Sequence, residues 1–220
     1  MRFVWAFATA LLVCLPATAT PKPHSVTLGR PISVKLTVGA SEEKTIDITV
    51  RALYVDGKVK DFTTGETHDV TDREFVVRRA YRINDSLPED AHKTSKWLWQ
   101  RGDWILVDRK SGKTTSLKLP DFDPFYSHVS WYRDYAAYCG ISSSGEQVIA
   151  VVAEIGTKKP LFHKDVGKNT MGDDPDSNCS SPHWERQPAW VTFVPRANEK
   201  FTVTVSGRYV DHTADSETDE

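Results

Sequence analysis

Apolar and polar residues alternate along much of the chain, which is the period expected of half-buried β-strands. Every second side chain is apolar over residues 31–38, and residues 46–52 repeat this pattern after a polar turn. The dipeptide Asp56-Gly57 comes after Tyr54-Val55 and is typical of the tight turn that joins two antiparallel strands. The pattern therefore predicts β-hairpins in this part of the chain.

Strand-like patterns continue to the C-terminal region, and no stretch shows the sustained 3.6-residue periodicity of an amphipathic helix. Further strands are predicted at residues 75–83, 104–108, 114–119, 129–141, 147–155, 190–194 and 201–206. Residues 165–188 are polar and rich in turn-forming residues, which predicts a loop. We therefore expect an all-β protein whose antiparallel sheets contain about nine to eleven strands.

The first nineteen residues have the pattern of a secretory signal peptide. Arg2 precedes an apolar run over residues 3–15, and residues 17–19, Ala-Thr-Ala, are typical of a signal-peptidase site. The apolar run is shorter than the roughly 20 residues that a membrane-spanning helix needs, which favours a cleaved signal over an anchor. We therefore expect an extracytoplasmic protein, periplasmic or secreted, with no transmembrane segment after cleavage.

The chain after the signal peptide is expected to form one all-β domain over residues 31–210. Residues 20–30 are interpreted as a flexible lead-in, and residues 211–220 as a disordered acidic tail that has nothing to bury. Residues 85–96 are charged and rich in structure-breaking residues, so they mark a candidate seam within the domain.

Export changes the interpretation of the three cysteines, because Cys14 leaves with the signal peptide. Cys139 and Cys179 remain, and an even pair in an oxidising compartment predicts a disulfide. We expect Cys139 to be buried at the end of an apolar strand and Cys179 to lie in the polar loop. The alternative, a reactive thiol or a metal-binding pair, lacks C-x-x-C spacing and a supporting histidine cluster.

Composition excludes several classes of protein. Hydrophobic residues make up 39% of the chain and charged residues 26%, so collagenous and wholly disordered proteins are excluded. The formal net charge of −2 lacks the basic excess that neutralising phosphates requires, so nucleic acid is not an expected partner.

Aromatic residues are concentrated in the centre of the chain, where 10 of the 23 lie between Trp97 and Tyr138. Rigid rings on an exposed face favour recognition of a sugar or a protein. The alternative is that these rings fill the core of a small sheet protein. The candidate ligand-facing aromatics are Trp97, Trp99, Trp131, Tyr132 and Tyr135.

A calcium-loop spacing occurs in the polar segment, but it departs from the pattern at an essential position. Asp174, Asp176, Asn178 and Glu185 have the spacing of four ligand positions, whereas Cys179 stands where the loop needs glycine. We therefore predict no metal site and no cofactor. The chain contains neither a Gly-x-Ser-x-Gly nor a His-Glu-x-x-His motif, so no catalytic residue is assigned.

Three segments between residues 97 and 164 share a strand-turn-strand pattern. Residues 104–117 form an apolar strand that ends in Asp, turns through a Gly and returns to a Leu. Residues 129–138 place Ser-Trp before a turn and an Ala-Tyr strand, and residues 144–156 add another hairpin.

This pattern resembles the blades of bacterial β-propellers, with Arg133 where the family has Pro and Tyr135 where it has Gly. The resemblance implies blade-like antiparallel hairpins at the centre of the fold. Because blades of about 40–45 residues would use nearly the whole chain for a ring of four, we expect a fragmentary propeller sheet. A β-sandwich with the same hairpin chemistry is the alternative.

These observations favour an exported, soluble β-scaffold that acts as a binding or protein-interaction module of the cell envelope. Its partner would be an envelope protein or a glycan. One alternative is a hydrolase that uses carboxylates, which requires two acidic side chains in one cleft. Another is a structural envelope component whose strand edges add to the sheet of a neighbour.

We predict that the exported protein begins at Thr20, because the Ala-Thr-Ala site ends at residue 19. N-terminal sequencing of the extracytoplasmic fraction should find Thr20 within a residue or two. An intact Met1 in that fraction would contradict the prediction.

Overall fold

The computed structural model describes residues 23–37, 45–84, 86, 97–124, 126–169, 179–187, 189–196, 198–207 and 209–214. Within these residues the chain forms fifteen β-strands and no helix, which confirms the all-β class. Among the described residues no helix is long and apolar enough to cross a membrane. The predicted signal peptide lies outside the described residues, as does the candidate seam except for Ser86.

The N-terminal sheet contains seven of the described strands, and their pairings run in a closed circuit. These strands are β1 (Val26–Leu28), β2 (Ile32–Thr37), β3 (Thr45–Val55), β4 (Lys58–Asp69), β5 (Glu74–Asn84), β6 (Trp97–Asp108) and β7 (Thr114–Ser116). Strands β2 to β6 each pair antiparallel with the next strand in the chain. The circuit is closed by a parallel pairing between the first and last of them, β2 and β6, at Leu36 and Trp99. Strand β1 adds to β3, and β7 adds to β6.

The predicted hairpin at Asp56-Gly57 joins β3 to β4. Both residues have positive φ, 53° at Asp56 and 75° at Gly57, which is the geometry that a two-residue turn between right-twisted strands requires. The carboxylate of Asp56 also accepts a hydrogen bond from Nδ1 of His24 at 2.6 Å. The turn thereby ties the start of the described chain to the sheet.

The other two sheets each contain four strands that pair in chain order, so each is an antiparallel meander. The middle sheet consists of β8 (Ser130–Tyr132), β9 (Tyr135–Ile141), β10 (Gln147–Glu154) and β11 (Phe162–Lys168). The C-terminal sheet consists of β12 (His183–Arg186), β13 (Ala189–Phe193), β14 (Phe201–Ser206) and β15 (Tyr209–Ala214).

The middle sheet is buried on both faces, which explains why β9 and β10 are apolar almost throughout. One of these faces packs against the C-terminal sheet, and the side chains of the two sheets form one core. On the opposite face Tyr138, Ile149 and Val151 pack under a segment that we call the covering loop, residues 117–124 and 126–129. The fully buried members of the core shared with the C-terminal sheet are Ala137, Ala150, Val152, Val166, Val191, Phe193 and Val203.

The core between the middle and C-terminal sheets contains both small and large side chains. Ala137 and Ala150 belong to the same core as the large rings Phe193 and Phe201 of the C-terminal sheet, whose centroids are 5.3 Å apart. Small residues beside large ones fill the space between two sheets without voids. This core therefore holds the middle and C-terminal sheets face to face.

The covering loop is fastened closely to β9. The carbonyl oxygen of Asp121 lies where a Cβ atom on Gly140 would come, so only glycine fits there. The hydroxyl of Tyr138 donates to the carbonyl of Pro120, and the ring of Phe122 meets that of Tyr138 edge-on at 5.6 Å. Burial raises the pKa of the Tyr138 phenol, so the group stays protonated and keeps donating.

The described strands outnumber the nine to eleven that the sequence predicts, for two physical reasons. Strand β1 has three residues, too few for an alternating pattern to emerge, and the single strand predicted at residues 129–141 is divided into β8 and β9 by the turn at Arg133 and Asp134. Strand β11 lies partly and β12 wholly within residues 165–188, which the sequence predicts to be a loop. Their side chains are mostly polar, so the pairing of their backbones leaves no alternating pattern in the sequence. Strand β15 also includes residues 211–214, which the sequence assigns to the tail.

Face-to-face packing of two antiparallel sheets is the arrangement of a β-sandwich, and consecutive propeller blades also pack in layers. Arg133 stands where the propeller family has proline, and its φ is 52°. Proline is fixed near −65° and cannot adopt that conformation, so the turn after β8 differs from the propeller turn. The propeller resemblance itself stays a prediction.

We predict that Gly140→Ala lowers the free energy of unfolding by about 1–3 kcal/mol, because the new methyl group would overlap the Asp121 carbonyl. The matched control is Gly102→Ala, where the nearest atoms belong to the ring of Tyr81 at 3.1 Å and that residue is 39% exposed. This ring can move aside, so the control should cost less. Denaturant unfolding of both variants makes the comparison, and equal losses would contradict the prediction.

Candidate functional site

A cleft opens where the three sheets meet, with a volume of about 770 Å³. It is lined by His68 and Asp69 of β4, by residues 130–133 of β8 and its turn, and by His183, Trp184, Arg186 and Gln187 of β12 and its turn. Each sheet therefore contributes one wall.

The rings of Tyr132 and Trp184 stack across the boundary between the middle and C-terminal sheets, with centroids 5.5 Å apart and planes 29° apart. Nε1 of Trp184 donates to the carbonyl oxygen of Ser130 at 3.0 Å, which fixes the orientation of the indole. Tyr135 packs against the same indole at 6.4 Å and donates from its hydroxyl to the carbonyl of Gly207. These contacts make a rigid aromatic wall.

Trp131 and His68 form the corresponding boundary between the N-terminal and middle sheets. Their rings are stacked at 6.0 Å with planes 15° apart, and Trp104 meets Trp131 edge-on at 5.1 Å. Nε2 of His68 donates to the carbonyl oxygen of Arg133 at 2.8 Å. Since a carbonyl only accepts, this bond requires a proton on Nε2. The turn after β8 is thereby anchored to β4.

The charged groups of the cleft are predominantly cationic. Arg133 and Arg186 are exposed, and neither is held in an ion pair among the residues that the structure describes. Asp69 is the acidic residue that lines this cleft, and Nη2 of Arg109 lies 2.5 Å from its carboxylate. Among the described residues the negative charge of the lining is therefore compensated by an ion pair, whereas the charges of the two arginines are not.

Arg133 occupies an unusual backbone position at the mouth of the cleft. It and Asp134 form the two-residue loop between β8 and β9, where Tyr132 pairs with Tyr135. Its φ of 52° lies in the left-handed region, which glycine and asparagine adopt far more readily than arginine. Its Cζ atom lies 5.5 Å from the centroid of the Tyr132 ring, so the guanidinium rests against the aromatic wall.

Of the five aromatic residues predicted to face a ligand, three lie at the cleft and two lie away from it. Trp131 and Tyr132 line the cleft, and Tyr135 supports it from behind. Trp97 and Trp99 lie on β6 in the N-terminal sheet, where Trp97 is 51% exposed beneath Arg82 and Trp99 packs edge-on against Phe62. The central aromatics thus serve two purposes, since Trp104 and Tyr138 are buried in the core.

Sequence reasoning missed most of the polar half of the cleft and one of its aromatic walls. His68, Arg133, Trp184 and Arg186 were not predicted, because none belongs to a recognisable motif. Trp184 was the strongest available signal, as a large aromatic residue inside an otherwise polar segment. Its contact with Ser130 is a pairing across 54 positions that no local pattern encodes.

The predicted disulfide between Cys139 and Cys179 is confirmed, with Cα atoms 6.2 Å apart. The expected burial is reversed, because Cys179 is only 8% exposed whereas Cys139 is partly buried. The backbone of Cys179 forms an isolated antiparallel β-bridge with that of Pro195, and the amide of Ser180 donates a hydrogen bond to the carbonyl of Val194. This end of the polar segment therefore belongs to the core. The bond joins the middle sheet to the chain just before β12.

Three of the residues with calcium-loop spacing, Asp174, Asp176 and Asn178, lie outside the described residues. The fourth, Glu185, is exposed on β12. Within the part of the chain that is described, no group of three or more His, Cys, Asp or Glu side chains is placed to hold a metal ion.

Comparison of the chain with known protein families, with characterised proteins and with solved structures finds no match.

We predict that Cys179→Ser lowers the free energy of unfolding by about 3–4 kcal/mol, because the bond closes a loop with a sequence separation of 40. The double variant Cys139→Ser/Cys179→Ser should lose the same amount, since either change removes the same cross-link. Thiol titration of the denatured, unreduced protein checks the bond directly. Two reactive thiols per exported chain would contradict the prediction.

Proposed function

We propose that this protein is an exported binding module of the cell envelope whose cleft, at the junction of the three sheets, binds an oligosaccharide. The observation that carries the proposal is the cleft itself, with its walls from three sheets and its aromatic and cationic lining. Its volume of about 770 Å³ falls within the roughly 300–1,000 Å³ typical of sites for small ligands. The signal-peptide pattern and the disulfide support the extracytoplasmic location.

The shape of the site favours a glycan over a folded protein as the ligand. Protein interfaces of standard size bury about 800 Å² on each partner and use broad surfaces rather than one concave cleft. Half-buried rings such as Tyr132 and Trp184 offer rigid apolar surface beside polar groups, which suits the mixed character of a sugar. The adjoining Gln187 and His183 supply hydrogen-bonding groups for hydroxyls.

A hydrolase using carboxylates would need two acidic side chains that converge on the ligand. The acidic residue that lines the cleft, Asp69, is engaged by Arg109 at 2.5 Å. Binding is therefore the function that the geometry supports best. A structural envelope component would act through strand edges and would not depend on the cleft.

We predict that Tyr132→Ala weakens oligosaccharide binding at least tenfold, because it removes one ring of the aromatic wall. The probes are tetrasaccharides of glucose, of N-acetylglucosamine and of galacturonic acid, each titrated into the exported protein by calorimetry. The matched control is Trp97→Ala, which removes a 51% exposed ring in the N-terminal sheet, away from the cleft lining. This control should bind like the parent protein.

Two results would overturn the proposed function. One is that none of the three tetrasaccharides binds the parent protein. The other is that Tyr132→Ala and Trp97→Ala have equal effects, which would place the site elsewhere. Release of shorter sugars during the titration would instead favour the hydrolase.

A further inference from the structure

We propose that the ligand of this cleft is acidic, a carboxylate-bearing oligosaccharide whose negative group is bound by the guanidinium of Arg133. This inference rests on the proposed function and adds to it the chemical class of the ligand and the residue that selects it. Four features support it, namely the charge of the cleft, the backbone of Arg133, the groups that hold Arg133 in place and the hydrogen bonds around β8.

The positive charge of the cleft favours an anionic ligand. Arg133 and Arg186 both line it, and among the described residues neither has an ion-pair partner. The carboxylate of Asp69 is already compensated by Arg109. An arginine presents a planar set of donors that matches a carboxylate in a bidentate arrangement. A neutral sugar would leave this capacity unused.

The backbone at Arg133 indicates that arginine is present for its side chain. A φ of 52° is unfavourable for any residue with a long side chain, and glycine or asparagine would occupy this loop at lower cost. The two-residue loop after β3 shows the alternative, because there the left-handed positions are held by Asp56 and Gly57. Strain of this kind is retained at functional sites when the side chain is needed there.

The surroundings of Arg133 hold its side chain at the cleft. Its carbonyl oxygen accepts the hydrogen bond from His68, which fixes the loop against β4. Its guanidinium lies against the ring of Tyr132, which restricts the side chain without neutralising its charge. The donors are therefore positioned before the ligand arrives, which reduces the entropy lost on binding.

The hydrogen bonds around β8 favour a glycan over an acidic peptide. An extended peptide would bind by adding a strand to a sheet edge, and it would need free carbonyl oxygens there. The carbonyls of Ser130 and Arg133 already accept bonds from Trp184 and His68. Two carbonyl groups at β8 and its turn are thus already engaged, which leaves fewer acceptors for an added strand and favours side-chain recognition within the cleft.

The experiment compares the affinities of tetragalacturonate and its neutral counterpart tetragalactose for the exported protein, measured by calorimetry. We expect the parent protein to bind the acidic sugar at least tenfold more tightly, with an affinity that falls as salt is added. Arg133→Gly should abolish this preference without lowering Tm, because glycine accepts the positive φ. Arg133→Lys should keep part of the preference, because the charge remains.

The matched control is Arg82→Ala, since Arg82 is also exposed and also lies over an aromatic ring, 5.0 Å from the centroid of Trp97. It should leave the preference intact. Equal binding of both sugars by the parent protein would overturn the inference while leaving the proposed function in place. Failure of both sugars, and of the neutral tetrasaccharides, would overturn the proposed function as well.

Two further results would count against the inference. If Arg133→Gly lowers Tm substantially, the arginine serves folding rather than ligand binding. If tetraglutamate binds as tightly as tetragalacturonate and competes with it, the site recognises acidic peptides and the assignment to a glycan is wrong.

Discussion

Arg78 carries its charge into the contact between the N-terminal sheet and the covering loop, where only 3% of its surface is exposed. Nη2 donates to the carbonyl of Pro124, Nε donates more distantly to that of Gly102, and Cζ lies 5.5 Å from the centroid of Phe122. Burial, with a contribution from Arg101, lowers the pKa of Arg78 to about 10, so the group is still cationic at neutral pH. Burying a cation is costly unless hydrogen-bond acceptors surround it, so the covering loop must lie where its carbonyl groups reach the guanidinium of Arg78.

The rest of the architecture follows from that contact. The covering loop, once held on the N-terminal sheet, closes one face of the middle sheet, and its contacts with Gly140 and Tyr138 show how closely it lies. The other face is closed by the C-terminal sheet. Because β9 and β10 are apolar on both sides, the middle sheet is stable only with both covers in place. The cleft is the gap left where these three layers meet.

The sequence predicted those features of the fold that are determined by residues close together in the chain. The Asp56-Gly57 turn and the strands at residues 147–155 were predictable because their backbone geometry and burial depend on adjacent residues. The cleft could not be predicted, because the hydrogen bonds that form it join residues far apart in the sequence: His68 and Arg133 are 65 residues apart, and Trp184 and Ser130 are 54 residues apart. Polar strands such as β12 were also missed, because a paired backbone beneath exposed side chains leaves no alternation to detect.

The bond between Cys139 and Cys179 also bears on how the C-terminal sheet can move. It anchors the chain just before β12 begins at His183, so that a detached sheet would remain beside its docking face. The return of a tethered partner is governed by effective concentration rather than by the concentration of protein in solution. Opening of the cleft along this boundary would therefore be brief and self-reversing, and the cleft would re-form without a new folding event.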